Sequence, residues 1–181
     1  MQSKDIEKVI DWIWQGVEAD PSLQIFAILD AARDTRIHSK LFDAKVPATS
    51  LFRGEKARAM ATAAPYIVAL RREDSFTQWL FDYGWGNSWG IFLEWAHDPD
   101  LLKRHCRSIF MVYDEEGKPL YFRYYDPRVM RVHLPTCPRE DLGRLFGPVK
   151  AYYVEGDEPD ILIHYALSDG QLVERKIPIV H

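Results

Sequence analysis

Hydrophobic periodicity switches partway through residues 76–95, and this switch limits the possible folds more than any other feature of the chain. Phe76, Trp79, Leu80 and Tyr83 recur at i, i+3, i+4 and i+7, the spacing of one helix face, with Asp74 or Ser75 placed to cap it. Gly84 follows at once, where helices commonly end on a residue free to turn left-handed. The next run, WGIFLEWA, is short, aromatic and branched, and reads as a strand. Within the intervening GWGNSWG lies G-x-S-x-G, the spacing of a hydrolase nucleophile elbow. An elbow needs a strand entering and a helix leaving, so that a strained backbone lifts the serine above a sheet. The order here is helix, turn, strand. Ser88 is therefore not expected to be a nucleophile, and the glycines are read as shaping a turn.

Elsewhere the same periodicities alternate. Ile6, Ile10, Ile13, Trp14 and Val17 share one face of a helix over residues 3 to about 17, with Val9 at its margin and Trp12 opposite. LQIFAILDAA reads as a strand, the polar residues 33–40 as a loop, and PYIVAL as a strand opened by proline. Asp98-Pro99 starts a helix that puts Leu101, Leu102, His105, Cys106, Ile109 and Phe110 on one arc and Lys103, Arg104 and Arg107 on the other. His105, amid apolar neighbours and without a histidine at i+4, reads as a hydrogen-bonded core residue. Residues 109–125 form a hairpin around DEEGK that Asp126-Pro127 terminates. A short helix with Leu142, Leu145 and Phe146 stops at Gly147-Pro148, and VKAYYVE, DILIHYAL and QLVERKIPI read as strands, the last two joined at Ser168-Asp169-Gly170. No repeat or linker interrupts the pattern. The expectation is one domain over residues 1–181 of mixed α/β (α+β) class: a mixed sheet flanked by helices, with a C-terminal antiparallel strand pair.

Composition narrows the function. A chain of 181 residues with 47% hydrophobic content buries a substantial core, and 27 acidic against 23 basic side chains argue against general phosphate-driven nucleic-acid binding. The charged amino terminus lacks the apolar core of a secretory signal and no run reaches membrane-spanning length, so a cytoplasmic location away from the membrane is expected. Cys106 and Cys137 lack ligand-like spacing, and no metal or cofactor is implied.

The densest polar constellation is FRYYDPRVMR, residues 122–131, followed by His133. Two readings apply. As an enzyme, Asp126 would orient His133 while Arg123 and Arg128 clamp an anionic substrate. As a binding surface, Asp126 would accept backbone N–H bonds in a turn and the arginines would meet a protein. Trp85 lies between two glycines, a position ill suited to core filling, and is expected to be an exposed anchor. With aromatic and arginine candidates but no convincing nucleophile, metal cluster or phosphate loop, the balance favours binding over catalysis.

The blocks ILDAARD, SLFRGE, APYIVAL, GWGNSWGIFL, LLKRHCR and FRYYDPRVMRVHLP, in this order, closely resemble the bacterial type VI secretion adaptor-chaperones, a family catalogued as a domain of unknown function. The resemblance covers about residues 24–150, leaving 151–181 as a short C-terminal strand extension. It implies a non-enzymatic protein that binds a toxic effector and helps load it onto the VgrG spike or its PAAR tip. Family motif residues falling here are Trp85, Gly86, Ser88, Trp89, Gly90, Arg104, His105, Arg123, Tyr125, Asp126, Pro127 and Arg128. Of these, Trp85, Trp89, Arg123, Tyr125, Asp126 and Arg128 are expected to form the partner-binding set, with edge strands after Lys150 a second route by strand addition.

Overall fold

Every residue of β1 (Gln24–Asp30) after the first is buried, so this strand must be covered on both faces and lie inside a sheet. The computed structural model, which describes residues 3–179, places it there; residues 1, 2, 180 and 181 of the expected domain lie outside the described residues. Antiparallel ladders join β1 to β3 (Pro65–Leu70) and to β4 (Gly90–Trp95). With β2 (Ala48–Ser50), β7 (Ala151–Glu155), β8 (Ile161–Ser168) and β9 (Gln171–Pro178), the sheet has seven strands in the order β2-β3-β1-β4-β7-β8-β9.

Side-chain alternation sends the two faces of each strand into two cores. Ile25, Ala27, Leu29 and Phe92 pack with α1 (Ser3–Ala19), α2 (Thr35–Asp43) and α4 (Ser75–Gly84). Phe26, Ile28, Ile91, Leu93 and Trp95 pack with α5 (Pro99–Phe110), α6 (Pro127–His133) and α7 (Arg139–Phe146). A six-residue helix, α3 (Gly54–Ala59), precedes β3. Two short strands, β5 (Met111–Tyr113) and β6 (Pro119–Tyr121), form a separate hairpin.

The α+β class and flanking helices are as expected, but several details differ. The sheet is not mixed: every ladder is antiparallel. β3 and β4 do run parallel, but β1 lies between them, so α4 carries the chain across β1 instead of joining parallel neighbours. The polar run 33–40 is not a loop but most of α2, capped by the Asp34 side chain on the Arg36 N–H, with Ile37 and Leu41 buried one turn apart. Val9 is fully buried, not marginal, whereas Leu101 is exposed. Of the expected C-terminal extension, β7, β8 and β9 belong to the main sheet, with β7 between β4 and β8.

Candidate protein-binding site

Asp30 ends β1, Glu155 ends β7 and Gly90 begins β4, so the antiparallel order brings all three to one end of the sheet. Residues 84–90 cross this end. Gly86 adopts φ 81° and Ser88 φ 55°, both in the left-handed region, and the backbone N–H groups of both bond one carboxylate. Gly86 N–H donates to Glu155 Oε2 at 2.6 Å and Ser88 N–H to Oε1 at 2.5 Å. Gly90 must be glycine for a different reason: a Cβ there would overlap the Ile28 carbonyl oxygen. GWGNSWG is thus a backbone cradle for a buried acid 65 or more residues away, with |i−j| of 69 and 67 for its two bonds. Burial pushes the Glu155 carboxyl up, against the opposing pull of the Ser88 and Gly86 hydrogen bonds and of Arg131.

Two further buried carboxylates root two arginines at the same end. Asp30, 1% exposed, accepts from Ala32 N–H at 3.1 Å and from Arg123 Nη2 at 2.5 Å. Asp126 is the N-cap of α6: its Oδ1 accepts from Arg128 N–H at 3.0 Å and Nε at 2.9 Å, and its Oδ2 accepts from Arg128 Nη2 at 2.6 Å. Burial alone would raise the Asp126 carboxyl, but the bonds from Arg128 outweigh it and hold the group below the usual carboxylate range. The guanidinium side chains remain 47% (Arg123) and 49% (Arg128) exposed. Arg131 bridges Glu155 C=O at 2.7 Å and Asp157 at 2.9 Å. Beside Arg128, Val129, Val132, His133 and Thr136 complete a cavity of about 550 Å³ along α6.

The six expected binding residues therefore divide. Arg123 and Arg128 present side chains to solvent; Trp85, Trp89, Tyr125 and Asp126 are buried. Trp85 is the main correction: it is not an exposed anchor. Its ring lies 6.2 Å from Phe81 and 6.3 Å from Phe92, and its Nε1–H donates to Pro159 C=O at 2.7 Å. Chain between two glycines is free to tuck an indole under the sheet end, and the β7–β8 connection supplies the acceptor. Trp89 is buried beneath Arg36, whose guanidinium carbon lies 5.1 Å from the ring centroid. Tyr125 is buried, and burial pushes its phenol up to about 12.

Asp126 does not orient His133. Its carboxylate is engaged by Arg128, no hydrogen bond joins the two among the described residues, and His133 instead packs edge-on to Phe122 with centroids 4.6 Å apart. His105 is hydrogen-bonded as read, but half-buried at the edge of the core: its Nε2–H donates to Leu145 C=O at 3.1 Å and burial lowers its pKa. Sequence reasoning did not assign Asp30 and Glu155 to the site. Each is an acid closing an apolar strand run, which is the signal that was available. Among the described residues, no group of three or more His, Cys, Asp or Glu side chains is arranged to hold a metal ion.

Asp30 and Asp126 of this two-core α+β domain are thus buried beneath two half-exposed arginines. Residues 25–144 match the family described as "Domain of unknown function (DUF4123)", and the chain belongs to that family. No curated protein and no solved structure matches the chain. No described helix is long and apolar enough to cross a membrane.

Proposed function

We propose that this protein is an adaptor that binds a type VI secretion effector and helps load it onto a VgrG or PAAR spike component. The observation that carries the reading is the anchoring of Arg123 and Arg128. Buried Asp30 and Asp126 fix each guanidinium from below, while about half of each side chain faces water. A pre-set arginine loses less conformational freedom on binding than a free one, and arginine is among the residues enriched at interface hot spots. Family membership is consistent with the same reading, since Asp30, Arg123, Asp126 and Arg128 all lie within the matched residues 25–144. The alternative with Asp126 and His133 as an acid–base pair draws no support from the geometry, because Asp126 is committed to Arg128.

The test is co-expression of the full chain with the reading frames that neighbour its gene, followed by affinity capture. The wild type should carry an effector with it. Arg123→Ala/Arg128→Ala, with its melting transition measured alongside, should weaken capture about 10-fold or more. A folded double variant that retains wild-type capture overturns the assignment of this surface.

A further inference from the structure

The β5–β6 hairpin is a separate two-stranded sheet tied to one core where Tyr121 stacks on Phe110, ring centroids 4.8 Å apart, and all six of its strand residues are exposed although all are apolar or aromatic. Met111 is 41% exposed, Val112 39%, Tyr113 67%, Leu120 46% and Tyr121 43%. A two-stranded ribbon is marginal in water and gains from a third strand. Its register shows which edge would take one. Phe122 N–H bonds Phe110 C=O, Asp114 N–H bonds Lys118 C=O, and Val112 faces Leu120 midway. The antiparallel alternation therefore turns main-chain groups of Met111 and Tyr113 outward on β5, and those of Pro119 and Tyr121 outward on β6. Pro119 has no N–H to offer, so β5 is the accepting edge.

The net charges at the two ends of the hairpin are opposite, Asp114, Glu115 and Glu116 outnumbering Lys118 at the tip. At the tip, Asp114 folds its carboxylate back onto the Glu116 and Lys118 N–H groups, leaving Glu115 and Glu116 pointing out. At the base, Lys56 donates to Tyr121 OH at 2.7 Å, and Arg107 donates to the Ser50 and Phe52 carbonyls just before Arg53. Among the described residues, none of Glu115, Glu116, Arg53, Lys56 and Arg107 is in an ion pair.

We infer that β5 pairs antiparallel with β5 of a second copy of this chain, making a four-stranded sheet about a two-fold axis beside Val112. That operator sets Tyr113 against Met111 of the partner subunit, and a three-residue strand, roughly 10 Å long, puts each acidic tip at the other copy's basic base. A surface acidic at one end and basic at the other complements itself under antiparallel pairing, which selects a second copy as the occupant.

Sedimentation velocity of the full chain tests this without any effector, so its result is independent of the adaptor reading. The wild type should sediment as a dimer at low salt and shift toward monomer at high salt. Tyr113→Pro, which blocks the outer edge at a position not bonded within the hairpin, should be monomeric, with a cooperative melting transition that no longer depends on protein concentration. Glu115→Lys/Glu116→Lys and Arg53→Glu/Lys56→Glu should each be monomeric alone and form a heterodimer when mixed. A wild type that is monomeric at every concentration up to its solubility limit, or a Tyr113→Pro protein that still sediments as a dimer, overturns the inference.

Discussion

Asp126 caps a helix, neutralises an arginine and is 3% exposed, so its replacement removes three bonds at once. Asp126→Ala should cost about 2 kcal/mol or more, above the typical lost cap, because Arg128 also loses its partner. Asp126→Asn, which keeps an acceptor for the Arg128 N–H, should cost less; equal melting temperatures for the two variants would sink this account. Glu94 poses the opposite case. It is 6% exposed, its Oε1 accepts from Tyr153 OH at 2.6 Å, and burial, against that bond, raises its pKa. The folded protein thus holds the Glu94 proton to a higher pH than the unfolded chain does. The associated stability is fully present below the unfolded carboxylate value and is lost as pH rises through the folded value. Glu94→Gln should remove that dependence. Above about pH 4.5 its melting temperature should gain on the wild type as pH rises through the raised folded value, with parallel curves as the contrary result.

At the scale of elements, legibility followed the length of the periodic signal. β1, β3, β4 and α4 are each long enough, and apolar enough, to declare their period. α2 did not, because its buried contribution is Ile37 and Leu41 alone within a charged segment. α6 was hidden by a rival meaning of one dipeptide: Asp126-Pro127 reads as a strand stop, yet it is the same cap-then-proline start that Asp98-Pro99 makes at α5. In the site, the arginines were legible as a cluster in sequence. The Glu155 cradle was not, since it joins the GWGNSWG turn to a strand far along the chain and only the folded sheet brings them together. Trp85 was misplaced for the same reason, its acceptor being Pro159. Trp85→Phe should therefore cost about 0.5–1.5 kcal/mol, as the hydrogen bond to Pro159 is lost while that exposed residue turns to water, and Trp85→Ala about 3–5 kcal/mol as a cavity opens. Chemical denaturation would measure both. If Trp85→Ala melts like the parent but loses its partner, the residue belongs to the interface after all.

For the whole molecule, the family match ends at residue 144, before β7 begins, yet the fold cannot end there. β7 pairs with β4 through Phe92, Leu93 and Glu94 and supplies Glu155 to the cradle. β8 covers its other edge over five register pairs, from Ala151 to Glu155. Leu162 and Ile179 fill the core beneath α1, whereas Ile163 and Tyr165 fill the opposite one, so both cores close only when the terminal meander is in place. Burying a large apolar side chain contributes about 1.5–3 kcal/mol, and four of them rival the roughly 5–15 kcal/mol of net stability typical of a domain. A chain ending at Gly156 should consequently lose its cooperative melting transition, together with the Pro159 acceptor of Trp85. Circular dichroism during heating would report this directly. A truncated protein that unfolds cooperatively near the parent's temperature would mean instead that β8 and β9 are accessory to a core completed by β7, and that their outer edge is free for other work.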